Sequence, residues 1–227
     1  MNKKSSLILG ATLLALSGAA AAQATHTFYL GAARIDVRSK APALQGGDAL
    51  PAPGALLHVG DADTIGFGYV YRFAPSWSAE LALGLPPSHK VYGDGVIKAA
   101  GQIAVVKQMP PSAFINYHFG EILPKLHPFV GLGINYTHFA KTRSTPSGDA
   151  ITGGPTRITL SDSWGAAGHV GLNVRYSKHW SLVTTVAMAD VKSDQKAYTQ
   201  TRQGEVVRST RIDFRPIVYT LSLGYSF

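Results

Sequence analysis

The chain has 227 residues, 45% of them hydrophobic and only 15% charged, and 21 basic against 13 acidic side chains give a formal charge of +8. It has no cysteine, which excludes a small secreted scaffold held together by disulfides. Mean hydropathy is only +0.07, and past the N-terminus there is no apolar run of the length a membrane-crossing helix needs, which excludes a helical membrane protein.

Residues 1–24 read as a secretory signal peptide. Lys3 and Lys4 form the basic start, Leu7 to Leu16 a short apolar core, and Ala22-Gln23-Ala24 a small-x-small cleavage site. The apolar run falls well short of the roughly 20 residues a spanning helix requires. Export also removes nucleic acid as a partner for the basic excess and favours an anionic lipid surface. Residues 25–227 are then one domain.

Along that domain the side chains alternate with period two, the signature of strands with two different faces. Thr27 to Val37 begins mixed, then sets Ile35 and Val37 against Arg34 and Asp36. Arg38 to Asp63 is rich in Ala, Pro and Gly and reads as a long loop. Ile65, Phe67, Tyr69, Tyr71 and Phe73 make an apolar face, and after the turn Ala74-Pro75-Ser76 the alternation resumes with Trp77, Ala79, Leu81, Leu83 and Leu85. Pro86 to Gln108 is a second long connection. Ser112 to Phe119 and Pro128 to Thr137 are strands joined by the short turn Gly120 to Lys125. Ala140 to Asp162 is a third long connection, polar and rich in Gly and Pro. Trp164 to Tyr176 and Trp180 to Ala189 flank the turn Ser177-Lys178-His179. Lys192 to Arg211 is a fourth long polar connection, and Ile217 to Phe227 closes the chain on an alternating strand.

This makes eight strands whose connections alternate long and short. The expected fold is all-β, an eight-stranded antiparallel up-and-down transmembrane barrel with short periplasmic turns and long extracellular loops. Phe73, Trp77, Tyr117, Phe119, Tyr176, Trp180, Tyr225 and Phe227 all lie near a short turn or the C-terminus, where a membrane-interface girdle belongs. Basic residues such as Lys40, Lys90, Lys107, Arg143, Lys192 and Arg208 lie in the long connections. Either they meet the phosphates of an anionic outer leaflet, lipopolysaccharide included, or they are solvated loop residues.

Three blocks, MPPSAFINYHFG (Met109 to Gly120), HPFVGLGINYTHF (His127 to Phe139) and LSDSWGAAGHVGLNVRY (Leu160 to Tyr176), resemble the OmpW family of small outer-membrane β-barrels with its AlkL-like relatives. Their order and spacing and the terminal GYSF agree with that family, and the likeness covers the whole mature chain. The resemblance implies residence in the outer membrane of a Gram-negative cell and a narrow, largely apolar interior that passes small hydrophobic molecules. Some members assist hydrocarbon uptake, and others serve as phage or bacteriocin receptors. By likeness to outer-membrane proteins generally, Phe227 is also a recognition signal for the barrel-assembly machinery.

Eight strands enclose an interior just wide enough for side chains to fill, so an open aqueous pore is not expected. The inward parity carries many small residues, which leave room, and Phe114, Phe129, Val183 and Phe214. These four either line a hydrophobic tunnel or plug the barrel. Pro110 and Pro111 lack ladder donors near the outer edge of the wall, and mark either a lateral gate, releasing an apolar solute into the membrane, or a plain bulge. Arg72, Glu80 and Arg175 are expected to form a polar floor in the lower lumen, with Glu80 paired to one of the arginines. No enzyme activity, cofactor or metal site is expected. Ser, His and Glu co-occur in any chain of this size, and His118, His127, His138 and His169 lack the close pairing of a metal site. The alternative function is a plugged structural or receptor barrel acting through its basic loops. A soluble lipocalin-like carrier is disfavoured because the aromatic parity faces away from the Ser, Asn, His and Arg parity.

Overall fold

The computed structural model describes residues 25–46 and 54–227; the expected signal peptide, residues 1–24, lies outside the described residues. In chain order the elements are β1 (Thr25–Val37), β2 (Ala55–Val59), β3 (Ala62–Ala74), β4 (Trp77–Gly84), β5 (Ser88–Gly95), β6 (Gln102–Met109), β7 (Ser112–His118), β8 (Leu126–Ser144), α1 (Pro146–Thr152), β9 (Thr156–Leu160), β10 (Ser163–Arg175), β11 (Trp180–Ala189), β12 (Lys192–Thr201), β13 (Gly204–Asp213) and β14 (Pro216–Ser226). Among the described residues no helix is long and apolar enough to cross a membrane.

Eight strands close into an antiparallel barrel in the order β1, β3, β4, β7, β8, β10, β11, β14 and back to β1. The seam pairs Thr27 with Ser226 and runs to Val37 opposite Pro216. At its periplasmic end Phe227 N donates to His26 O (3.0 Å) and His26 N to Phe227 O (3.2 Å). Closure supplies partners to main-chain groups that would otherwise face lipid as a free sheet edge. The eight wall strands are those the alternation predicts.

The long connections differ from the expectation, because they are not irregular loops. The outer part of β8 runs on beyond the barrel and pairs with β6, which continues through β5 to β2. Strands β9, β12 and β13 form a second, three-stranded sheet. Between β8 and β9, α1 starts where Thr145 Oγ1 accepts from Gly148 N (3.2 Å) and stops at Gly153 in the left-handed region. Together these elements build a cap on the extracellular end. Its core is apolar and includes Ile35, Val37, Leu57, Val59, Val91, Val106, Phe139, Ile212 and Phe214.

The periodicity did not betray these strands because their buried face is polar or short. In β12 the buried positions are Ser193, Gln195, Ala197 and Thr199, which give no hydrophobic signal. Arg208 also departs from its expected place facing solvent or lipid. It is 2% exposed inside the cap, donating from Nη1 to Thr152 O and Thr199 Oγ1, both at 3.4 Å.

Candidate functional site

A cavity of about 520 Å³ runs down the barrel, from Ile35, Val37, Val191 and Phe214 at its outer end to Arg72 and Arg175 near the periplasmic mouth. A band of side chains crosses it part-way. Glu80, on β4, accepts from Tyr29 OH of β1 at Oε1 (2.8 Å) and from Asn116 Nδ2 of β7 at Oε2 (2.6 Å). His169 Nε2 of β10 bonds Asn116 Oδ1 at 2.8 Å and lies 3.8 Å from Glu80 Oε2. The imidazole stacks on Phe114, with centroids 4.2 Å apart and planes 11° from parallel, and meets Phe129 edge-on at 5.4 Å. Both carboxylate oxygens are thus satisfied, one by a donor from the adjacent β7 and one by a donor reaching over β3 from β1, the condition under which a buried acid is tolerated.

Glycines on the adjacent strands make this band possible. A Cβ on Gly68 would collide with the Tyr29 hydroxyl, one on Gly131 with Asn116 Oδ1 and the His169 ring, and one on Gly171 with the Phe129 ring. The room that small residues leave is therefore taken by the larger side chains of adjacent strands. Glu80 is not paired to arginine as expected. Arg72 Nη1 instead donates to Pro75 O at 3.2 Å, and both Arg72 and Arg175 line the cavity on the periplasmic side of the band.

Above the band the wall is interrupted. Pairing of β4 with β7 ends at Ala82 opposite Ser112. Beyond it, Leu83 and Gly84 pair only with β3, and Leu85 N donates to Ile65 O (2.9 Å). Across the gap stand Pro110 and Pro111, which have no N–H to offer. The bond from Gln108 N to Pro87 O (3.3 Å) closes the gap at the cap. The proline carbonyls are met from the other side: Tyr136 N donates to Pro111 O (2.9 Å), and Asn135 Nδ2 reaches Ser112 Oγ (3.0 Å), Pro111 O (3.3 Å) and Pro110 O (3.5 Å). Leu83 and Leu85 lie on the outward parity of β4, yet both line the cavity along with Pro87, Gln108 and Pro110.

The OmpW family model matches residues 27–227. The chain belongs to the OmpW family. It is 31% identical to Outer membrane protein W of Escherichia coli (strain K12), with 100% of both chains covered. The crystal structure of the outer membrane protein OprG from Pseudomonas aeruginosa superposes with a TM-score of 0.80 at 26% identity, covering 90% of this chain and 96% of that one. The structure of outer membrane protein AlkL in DMPC lipid bilayers shares the fold at a TM-score of 0.63 and 20% identity, covering 95% and 96%. As an OmpW-family protein the chain is an outer-membrane barrel in contact with membrane lipid, and not an enzyme.

Given that setting, the outward aromatics of this OmpW-family barrel lie at its periplasmic end. Phe73, Trp77, Tyr117, Phe119, Tyr176, Trp180, Tyr225 and Phe227 are all exposed. Trp77 packs edge-on against Tyr117 at 5.1 Å, and Trp180 against Tyr225 at 4.9 Å, each pair directly opposite across two strands. Of the four predicted lumen residues, Phe114 and Phe129 belong to the band and Val183 lines the cavity beside β14. Phe214 sits higher, between β13 and β14, against Phe139 of the cap (5.2 Å). Among the described residues no group of three or more His, Asp and Glu is placed to hold a metal.

Sequence reasoning missed Tyr29, Asn116, His169 and Asn135 as members of the site. The signal was there in part, since Gly68, Gly131 and Gly171 stand on strands next to these large polar or aromatic side chains. Reading a glycine as a socket for its neighbour's side chain, in place of empty volume, would have found three of the four.

Proposed function

We propose that this protein passes small hydrophobic compounds from the outside to the outer membrane, releasing them sideways through the gap between β4 and β7. The observation that carries this reading is that outward-facing Leu83 and Leu85 line the same cavity as inward-facing Ile35 and Val37. The band of Tyr29, Glu80, Asn116, His169 and Phe114 supports lateral over straight-through release, because an apolar solute gains nothing from displacing satisfied polar groups. Polar side chains along the cavity are also internally committed, with Thr137 Oγ1 donating to Asn135 Oδ1 (2.8 Å) and Thr185 bonded to Thr220 (2.6 Å). Above the band the walls thus offer a solute mostly apolar surface. Pro110 and Pro111 are the gate residues in this reading, and Phe114, Phe129, Val183 and Phe214 bound the path. The test is the double variant Pro110→Val and Pro111→Val, which restores two ladder donors. Naphthalene uptake by cells carrying the variant should fall about tenfold, equivalent to a barrier raised by roughly 1.4 kcal/mol, while the heat-dependent gel shift of a folded barrel persists. Uptake equal to the parent would overturn lateral release.

The remaining partners follow from position. Lys40, Lys192 and Arg211 line an open hollow on the cap, suited to lipopolysaccharide phosphates; replacing all three with Gln should reduce the lipopolysaccharide that co-purifies. Residues 1–24 serve export and Phe227 serves assembly. Deleting Phe227 should lower the amount of inserted protein and leave uptake per inserted molecule unchanged.

A further inference from the structure

The cap contains a second void of about 50 Å³, bounded by Leu57, Val59, Val91, Ile103 and Ile158 among others, with Arg208 at its margin. The residues lining this void and those lining the barrel cavity have one member in common, Phe214. Phe214 is 2% exposed and stands between the two spaces. Its backbone is unusual for a core residue. Phe214 lies outside any strand, between the end of β13 and the start of β14. The next residue, Arg215, has φ of +44°, a left-handed conformation that strains a non-glycine residue. Arg215 Nε is bound to Asp213 Oδ2 at 2.6 Å, so the two neighbours of Phe214 are tied to each other across it. Phe214 N is anchored to Val191 O at 2.9 Å. The main chain at this point is therefore held on both sides of the ring, which packs against Phe139 (5.2 Å).

We infer that Phe214 is the door between the cap void and the barrel cavity, and that its ring sets the size of apolar solute admitted to the lumen. This inference rests on the proposed passage of hydrophobic compounds through that lumen. With the ring in its present position the cap void is too small for an aromatic solute. Rotation of the ring would join it to the larger cavity below, giving one apolar path from the cap core to the gap at Leu83. The ligand class is a compact molecule without hydrogen-bonding groups, since the void is walled chiefly by aliphatic side chains.

The experiment compares uptake of naphthalene and of the larger pyrene by cells carrying the full-length protein. Phe214→Ala should raise pyrene entry about fivefold, as for a barrier lowered by roughly 1 kcal/mol, and raise naphthalene entry less. Phe214→Trp should lower both. Val59→Ala supplies the control, because it enlarges the cap void while leaving the Phe214 ring in the chain, and should leave the pyrene-to-naphthalene ratio at the parent value. A purely structural role for Phe214 would move Ala and Trp variants in the same direction, and general loosening of the cap would make Val59→Ala resemble Phe214→Ala; either result overturns the door. In the purified protein, xenon detected by NMR gives a readout free of transport: Phe214→Ala should bind it more tightly than the parent, and equal binding would also count against a partition. If the parent itself admits no naphthalene above cells lacking it, the proposed function fails and the door with it; if the parent does and Phe214→Ala changes nothing, only the door fails.

Discussion

In the barrel, β1 turns Phe28 and Leu30 outward, both more than half exposed, and Tyr29 and Gly31 inward; in the cap the same strand turns Arg34 and Asp36 outward and buries Ile35 and Val37. Its alternation never breaks, but the chemistry assigned to each face inverts near Ala32 and Ala33. Strand β8 does the same, setting Leu132 and Ile134 outward against Asn135 and Thr137 in the wall, then burying Phe139 in the cap. One region uses lipid as solvent for its apolar side chains and satisfies polar ones within. The other uses water and a conventional apolar core. The inversion therefore locates the outer limit of the hydrocarbon layer, and it implies that the two regions are stabilised by different terms. The wall depends on a closed main-chain ladder, the cap on area removed from water.

The sharpest way to break that comparison is to damage one region and look for damage in the other. Phe139→Ala removes a ring that is 8% exposed in the cap core, at an expected cost of about 3–5 kcal/mol. Amides of β5, β6 and β12 should lose protection from hydrogen exchange, while those of the β3–β4 hairpin keep theirs. Uniform loss would mean that wall and cap unfold as one unit. The next largest effect is the converse. Leu132 is 78% exposed, so on a water-facing surface Leu132→Arg would be nearly neutral; facing lipid in the middle of the wall it should cost about 2–4 kcal/mol. Urea refolding into lipid vesicles measures this, and a neutral result would remove lipid from that face.

How much of this was legible in the sequence follows from the same contrast. The wall was readable because each strand separates apolar from polar or small residues, as Leu132 and Ile134 do from Gly133 and Asn135. The cap was not, because its strands are short, as β2 is, or lose register at bulges, as β5 and β6 do, or bury polar residues, as β12 does with Ser193, Gln195 and Thr199. The reading of β1, mixed at its start and clear only where Ile35 and Val37 oppose Arg34 and Asp36, reflects the inversion, since the two ends of the strand assign opposite chemistry to the same parity. In the lumen the parity gave Phe114, Phe129 and Glu80 correctly as inward. It could not give their partners, since Tyr29, Asn116 and His169 meet Glu80 only through the order of strands around the barrel. The gap at Pro110 and Pro111 was visible as missing donors; that outward leucines line the cavity beside it was not.

Within the wall, glycine substitutions test whether the band across the lumen is held by shape. Gly131→Ala places a methyl group where Asn116 Oδ1 and the His169 ring now lie, and overpacking of this kind should cost about 1–3 kcal/mol. The imidazole resonances of His169 should shift with it. Gly101→Ala makes a useful contrast in the cap. No heavy atom stands within contact of an added Cβ there, but its φ of +63° adds backbone strain of about 1 kcal/mol. A larger penalty at Gly101 than at Gly131 would mean that conformation, and not lumen packing, dominates.

The smallest effect concerns protons and belongs to the cap. His89, on β5, is 1% exposed; its Nδ1 bonds Gly60 O at 2.8 Å and its Nε2 bonds Gln108 Nε2 at 2.9 Å. The amide donates to Nε2, so the ring is neutral with its proton on Nδ1. Burial holds the imidazole below its ordinary range, opposed in part by the Gly60 carbonyl and the Asp61 carboxylate. The unfolded chain therefore binds the proton first as pH falls through about 6.5. From there down to the lowered folded value the unfolded state holds more protons, so cap stability declines with falling pH, by at most about 1.4 kcal/mol per pH unit from this group. Protonation would also remove the acceptor that Gln108 uses, and Gln108 N is the donor that closes the gap beside Pro87. Exchange protection of the β5 and β6 amides should thus fall as the pH is lowered below about 6.5, and His89→Gln should flatten that decline even though it lowers protection at neutral pH. An unchanged slope in the variant would assign the pH dependence to another group.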